Sequence, residues 1–506
     1  MRYFYILQER YEKMKTRRIL SLILASLMLS VSMLSCAQES EDGNNNNDTP
    51  SGGNESKESA TETESETEPE LTDGLEDKNF NGYDFRILSV YWKNDDSAHF
   101  MMYEDITGNP VNDALNASMN YIENRFNIKY DVISGGDEFN TQTTVRSTIN
   151  AGDDIFDITI GHDGLTFTLA KEGLFYNMMD VEQFDFTKPW WPDGTVNSLS
   201  LLGKLYCASN YMTYTGLHWT RAMIVNKDYA NDIGLEIPYD TVREGKWTTD
   251  EFMTLVNGRS QDLDGNGKID EDDRVAYASG GETAYCLQES NGINLYPRDE
   301  EGVPYLDIDL EKITTFVDKW RGLMSSQDYR KDGAFATDLF EKGNVLFCYG
   351  QIGDAYDRYR NTDIRYGFLP TPKYDEAQAN YINCCTDLPW AIPKTVKGEQ
   401  IDIIGTLCEA ISCYNYKNVL PAYFDVAMKS RTAETPDDAE MLQLIADTRT
   451  ISFAHAYGLK FARILDDIGE NSTAVASYFK TSQKVAAKEL DKIVKTFEKA
   501  AGEAGA

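Results

Sequence analysis

Ile155-Phe156-Asp157-Ile158-Thr159-Ile160-Gly161-His162-Asp163-Gly164 is a branched apolar run that ends in a polar pair flanked by glycines. The run predicts a strand, and Leu165 to Lys171, stopped by Gly173, predicts a helix directly after it. Upstream, Tyr83 to Trp92 carries Phe85, Ile87, Leu88 and Val90 and also reads as a strand. Val111, Leu115, Met119, Ile122 and Phe126 then recur at helical spacing. Ile128 to Ile133 returns to strand alternation, and Thr141 to Ala151, ended by Gly152, is a second helix. This β-α-β-α-β-α order implies a parallel sheet with helices on both faces, because parallel neighbours need long crossovers. In such sheets ligands sit beyond the carboxyl ends of the strands, so His162 and Asp163 stand at a predicted mouth.

The motifs that follow have a characteristic order. Lys171-Glu172-Gly173-Leu174 is succeeded by Gly203-Lys204-Leu205-Tyr206, Ile224-Val225-Asn226-Lys227-Asp228 and Gly245-Lys246-Trp247-Thr248. Then come Gly343-Asn344-Val345-Leu346-Phe347, Tyr366-Gly367-Phe368-Leu369-Pro370, Pro372-Lys373-Tyr374-Asp375-Glu376-Ala377-Gln378 and Leu388-Pro389-Trp390-Ala391-Ile392-Pro393. An amphipathic helix through Ile493 and Phe497 closes the chain. From Phe80 onward this series resembles the carbohydrate-type (family 1) extracellular solute-binding proteins, which deliver sugars to ATP-driven importers. The resemblance implies an α/β, two-lobed periplasmic-binding-protein-like fold, each lobe a mainly parallel sheet flanked by helices, with a multi-crossing hinge. It places crossings near Tyr206 to Tyr211, just before Val345, and after Ile392-Pro393. The first lobe is then expected over residues 80–208 and 345–393, and the second over 209–344 and 394–506. The implied partners are a carbohydrate ligand and the permease subunits of an ABC transporter.

Sugar rings lay their C–H faces on aromatic side chains, while their hydroxyls need fixed donors and acceptors. Among the aromatics Trp190-Trp191, Tyr211, Tyr214, Trp219 and Trp390, the mapped crossings favour Tyr211 and Trp390 as cleft residues. Trp247, followed by Thr248, Thr249 and Asp250, reads instead as a helix start. Asp163 and Asp354, each in a loop after a predicted strand, are the candidate hydroxyl-binding carboxylates, and His162 reads as a structural imidazole. Within the second lobe lies Asp262-Leu263-Asp264-Gly265-Asn266-Gly267-Lys268-Ile269-Asp270-Glu271-Asp272-Asp273. Alternating acidic and amide residues around a sharp glycine turn direct oxygens inward, as a hard cation such as Ca2+ requires. Asp262, Asp264 and Asn266 would supply side-chain oxygens, Lys268 its carbonyl, Asp270 a direct or water-borne oxygen, and Asp273 the closing carboxylate. Asp273 replaces the usual Glu, as in dockerin-type loops, and a single such loop has a structural role.

A net charge of −35 argues against nucleic acid or an anionic lipid surface as partner. Lys15, Arg17 and Arg18 precede an uncharged stretch from Ile19 to Leu34, the pattern of a secretion signal. Met14 is an alternative start to Met1. Met33-Leu34-Ser35-Cys36 resembles a bacterial lipobox, which implies lipidation at Cys36, removal of residues 1–35, and attachment to the extracellular face of the cell membrane. An uncleaved anchor would give the same location. Residues 37–79 are Asn-, Ser-, Thr- and Glu-rich and are expected to form a disordered acidic linker. The seven later cysteines, with Cys384 and Cys385 adjacent, do not form a disulfide pattern. The chain carries no Walker A, H-E-x-x-H or G-x-S-x-G motif. A non-enzymatic binding protein is expected; a two-carboxylate glycoside hydrolase and a calcium-stabilised surface adhesin are the alternatives.

Overall fold

The computed structural model describes residues 71–503 apart from 93–94, 271, 281–282, 332–336, 360–361 and 430–434. The signal segment, Cys36 and most of the linker lie outside the described residues. The linker's last stretch does not match the expectation for it. Leu71 and Leu75 pack on the core, and Arg125 binds Asp73, Asp77 and the Leu75 carbonyl. The charge-rich sequence reads as unpaired, but one arginine collects its carboxylates and carries Leu71 and Leu75 onto apolar surface.

The first sheet contains β1 (Tyr83–Ser89), β2 (Ile128–Ser134) and β3 (Ile158–Ile160), with β1 in the middle and parallel to both others. α1 (Pro110–Phe126), α2 (Glu138–Ala151) and α3 (Asp163–Lys171) alternate with them as predicted. The helix starts lie earlier than apolar periodicity indicates, because side-chain caps set them. Asn109 Oδ1 accepts from Val111 N at 2.9 Å, and Asp137 Oδ1 accepts from Asn140 N at 2.8 Å. Ends are set by left-handed residues, Asn127 (φ 49°) after α1 and Gly152 (φ 79°) after α2.

A second sheet contains β4 (Arg221–Asn226), β5 (Val275–Ser279), β6 (Tyr329–Lys331), β7 (Val345–Gln351) and β8 (Tyr366–Leu369), in the order β8-β4-β7-β5-β6. β7 is parallel to β5 and antiparallel to β4. The expected return to the first lobe before Val345 is therefore corrected, since both β7 and β8 belong to the second sheet. The physical reason lies in the pairing, since β7 bonds β4 along one edge and β5 along the other. Val345 to Gly350 is buried throughout, and such a run fits only an inner position with both faces covered. The chain rejoins the first sheet at β9 (Trp390–Ala391), antiparallel to β3.

Three segments lie side by side where the chain passes between sheets. Ala208 bridges Trp390, Thr220 bridges Cys385, and Asn383–Cys384 pairs in parallel with Arg449–Thr450. The Asp387 carboxylate, buried among them, accepts from the Ser209 and Thr215 hydroxyls and from Leu388 N at 2.7 Å. Residues 394–506 straddle both sheets rather than packing on the second alone. Asp438 accepts from Lys227 and Tyr239 just after β4, whereas α6 (Glu399–Tyr414) rests on the first lobe; α4 (Ala284–Ser290) and α5 (Gly353–Asp357) follow strands of the second sheet. From α6, Gln400 Nε2 donates to Asp157 at 2.9 Å, and Glu409 accepts from both indoles of Trp190 and Trp191 at 2.8 Å. α7 (Val475–Glu503) returns to the first lobe, where the Phe497 ring meets Tyr206 edge-on at 4.8 Å. All seven cysteines after Cys36 are free, buried thiols.

Two buried acids carry an electrostatic signature. Burial pushes the Glu409 carboxyl up to about 7 against the pull of its two indole donors. Burial likewise pushes Asp354 up to about 6, although its Oδ2 accepts from Gln351 N at 2.8 Å. The unfolded chain releases these protons near the ordinary carboxyl values of about 4. Folding thus takes up protons over the window from about pH 4 to 7. Their contribution to stability is full below that window and is lost as pH rises through it. Urea midpoints measured from pH 5 to 8 are expected to fall as Glu409 and Asp354 ionise. Asp354→Asn, which keeps an acceptor for Gln351 N, should flatten the slope between pH 5 and 6.5, and an unchanged slope would reject the assignment.

Candidate functional site

Asp163 opens α3 immediately after β3, at the carboxyl edge of the first sheet. The turn is tight: a Cβ at Gly161 would lie 2.4 Å from Thr166 Oγ1 and would push that hydroxyl aside. The Asp163 carboxylate accepts from Gly164 N at 2.6 Å and lies 3.1 Å from His162 Nδ1. Its other oxygen is 3.8 Å from His455 Nε2. The His455 ring stacks on Tyr285, with centroids 3.8 Å apart and planes 5° from parallel. Tyr285 belongs to α4, the helix that follows β5 in the second sheet. One carboxylate from the first lobe is thereby linked through an imidazole to a phenol ring of the second.

Cations surround this pair. The Arg463 guanidinium lies 5.4 Å from the Tyr285 ring centroid. Arg221, buried on β4, is close enough to Tyr285 and Asp354 to interact with both electrostatically. Burial holds the Tyr285 phenol well above its ordinary value, so it stays a neutral donor. His162, His455 and Arg463 keep part of their side chains in solvent, while Asp163 and Tyr285 are buried. The arrangement offers a charged acceptor, neutral and cationic donors and an aromatic pair within one small region.

The other predicted site residues fall into separate groups. Asp354 closes the turn from β7 into α5. Gly350 and Gly353 leave room for their neighbours there, because added Cβ atoms would lie 2.5 Å from Ile224 Cδ1 and from His218 Nε2. Tyr214 and Trp219 both meet Phe100 edge-on, at 5.3 and 5.8 Å, in a cluster with His218 and Tyr423. Tyr211 lies under the Arg449 guanidinium, 4.3 Å from its centroid, and its hydroxyl accepts from Arg449. Trp390 is a correction. It is 1% exposed, its Nε1 donates to Asn210 Oδ1 at 3.0 Å, and Phe184 and Trp191 enclose its ring. The strand pairing with β3 turns the indole into the first-lobe core.

Tyr285, His455 and Arg463 were missed in the sequence. The signal for Tyr285 was available, since it follows β5 by the same strand-to-helix rule that identified Asp163. His455 and Arg463 follow the last crossing, and nothing in their local sequence marks them.

The acidic loop is compact. One carboxylate oxygen each from Asp262, Asp264 and Asp273 lies within 4.8 Å of the others. Asp262 accepts from Gly265 N and Gly267 N, both at 2.7 Å, and these backbone donors, Gly267 foremost, hold its carboxyl below the ordinary value. Asn266 Oδ1 accepts from Lys268 N at 2.8 Å, while Asp270 Oδ2 accepts from Asn266 Nδ2 at 3.1 Å. Asp273 Oδ1 and Oδ2 accept from Leu263 N and Asp270 N.

No protein-family model and no curated protein sequence matches this chain. Solved structures do match it. The ABC substrate-binding protein Lmo0181 from Listeria monocytogenes, in complex with cycloalternan, aligns with a TM-score of 0.51 at 13% identity, over 83% of this chain and 100% of that one. UspC of M. tuberculosis aligns with a TM-score of 0.53 at 13% identity, over 80% and 100%. UgpB from Mycobacterium tuberculosis, in complex with glycerophosphocholine, aligns with a TM-score of 0.50 at 16% identity, over 81% and 98%. Each of these neighbours is covered over nearly its whole length. The chain has the two-lobed α/β fold of ABC-importer substrate-binding proteins.

Proposed function

We propose that this protein captures a sugar or oligosaccharide between its two lobes and delivers it to the permease subunits of an ABC importer. The observation that carries this reading is the contact of Asp163 with Tyr285 through His455, which joins the strand ends of the two sheets. A ligand that binds groups on both sides favours the closed form by its differential affinity, and a transporter can recognise that form. The carboxylate suits paired hydroxyls, and the partly exposed imidazoles suit further hydroxyls of a sugar ring. Purified protein is expected to bind one carbohydrate reversibly in calorimetry and to return it unaltered. Asp163→Ala should weaken that binding tenfold or more, since a charged hydrogen-bond partner is worth about 1.5–3 kcal/mol, with little change in melting temperature. Release of new reducing ends over time would overturn the reading in favour of a glycoside hydrolase.

Attachment belongs to the same proposal. Cys36 would carry the lipid that holds the body on the outer face of the cell membrane, with the acidic linker as its stalk. Stable anchoring takes two acyl chains, which a diacylglycerol thioether supplies. Cys36→Ala is expected to move the protein from the membrane fraction to the soluble one while ligand affinity stays the same. Full membrane retention of that variant would point to an uncleaved helical anchor.

The loop from Asp262 to Asp273 is proposed to hold one structural Ca2+. Three carboxylates drawn together, Asp262 and Asp264 exposed and Asp273 buried, repel one another, and a divalent cation relieves that repulsion while taking its preferred oxygen ligands. A metal that binds only the folded form stabilises it by mass action, so chelation should lower the melting temperature. Replacing both Asp262 and Asp264 by Ala should abolish the chelator effect and leave carbohydrate affinity nearly unchanged. Elemental analysis that finds no calcium in the native protein would reject the site.

A further inference from the structure

The cleft groups around Asp163 are small in extent, yet the rim beside them carries two solvent-exposed aromatic rings. Phe139 is 65% exposed in the first turn of α2, and Tyr91 is 47% exposed just past β1. We propose that these rings form an outer stacking platform, which takes the sugar residues of an oligosaccharide that extend beyond the enclosed site. This inference rests on the carbohydrate reading above.

Position is fixed by the helices. Thr141, Val145, Thr148 and Ile149 turn one face of α2 into the core. Phe139 lies on the flank shared with Arg146, seven residues further along, and Arg146 Nε binds Glu172 just past the far end of α3 at 2.7 Å. α2 and α3 both leave the carboxyl ends of parallel strands, so they run in the same direction. Phe139, nearly two turns before Arg146, therefore stands level with the start of α3, where His162 and Asp163 lie. Two neighbouring contacts agree with that placement. The Glu138 carboxylate is 4.0 Å from His162 Nε2, and Gln142 Nε2 donates to the Leu165 carbonyl at 3.3 Å. Tyr91 reaches the same rim through its backbone, whose N–H donates to the Gly136 carbonyl at 2.7 Å, three residues before Phe139.

The chemistry suits a sugar. A phenylalanine in the first turn of an exposed helix contributes little to packing, and Asp137 already provides the cap. Its ring offers an apolar face to a pyranose without demanding a fixed hydroxyl pattern, which is what the outer units of a chain require. The buried carboxylate would read the inner unit, while the rim would respond to length.

The test is a length series on the full chain. Malto-, cello-, xylo- and mannooligosaccharides, from disaccharide to hexasaccharide, are titrated against wild type, Phe139→Ala, Phe139→Trp and Tyr91→Ala. In the series that binds, wild type is expected to gain affinity with length. Phe139→Ala should lose about fivefold for the longest member and stay within about twofold for the disaccharide. Phe139→Trp should keep the gain, and Tyr91→Ala should lose part of it. Equal losses at every length, or no loss for the longest chain, would overturn the platform while leaving the carbohydrate site in place. Wild type that binds none of the four series at any length would overturn the carbohydrate reading and the platform with it.

Discussion

A single buried carboxylate holds together the segments on which both lobes depend. Asp387 lies where the chain passes back toward the first sheet, and it collects the hydroxyls of Ser209 and Thr215 from the outward passage. Leu388 N completes the set, so the charge has three donors in a place that water does not reach. Removing one partner from such a group would leave the others facing an uncompensated charge, which is why arrangements of this kind resist piecemeal loss. Gly216 belongs to the same constraint, because a Cβ there would lie 3.0 Å from Asp387 Oδ2. Around it, the pairing of Asn383–Cys384 with Arg449–Thr450 and the seating of Arg449 on Tyr211 bring in the third segment. Those linked segments set where β3 and β9 end, and hence where Asp163 can stand.

The same chemistry recurs away from the crossings. This chain carries an excess of 35 negative charges, yet several of its acids are buried with dedicated donors rather than left on the surface. Glu409 takes two indole N–H groups, Asp157 takes the Tyr83 hydroxyl, Arg86 and Gln400, and Asp438 takes Lys227 and Tyr239. Each ties together segments distant in sequence: α6 to the Trp190-Trp191 turn, α6 to β1, and residue 438 to the start of the second lobe. Polar clamps join the pieces, and the apolar core fills the space between them.

The local order of the first lobe was legible from sequence because its strands and helices alternate with clear periods. Helix starts were less so, since Asn109 and Asp137 act through single hydrogen bonds that leave no periodic trace. The allocation of Val345–Gln351 to a lobe was not legible at all. A strand buried on both faces looks the same in either sheet, and only pairing with Arg221–Asn226 and Val275–Ser279 decides the matter. Trp390 shows a related limit. The side on which its ring falls depends on register with Ile160. A shift of one residue would have reversed it. Asp163 was found because strand-to-helix loops are visible locally, whereas His455 reaches it from nearly three hundred residues away.

What the fold fixes and what the side chains fix are different things. Proteins of this architecture are found with ligands as unlike as cycloalternan and glycerophosphocholine. The choice must come from the groups placed at the strand ends. Here Asp163 lies beside His162 and His455, and Tyr285, on which His455 stacks, lies near Arg463 and Arg221, so groups of both signs meet at these strand ends. A neutral polyol can bond to both signs of charge in such a place without displacing either. A strongly anionic ligand would have to lie against Asp163, and a cationic one against the guanidinium groups, each at a cost in repulsion that a neutral molecule avoids.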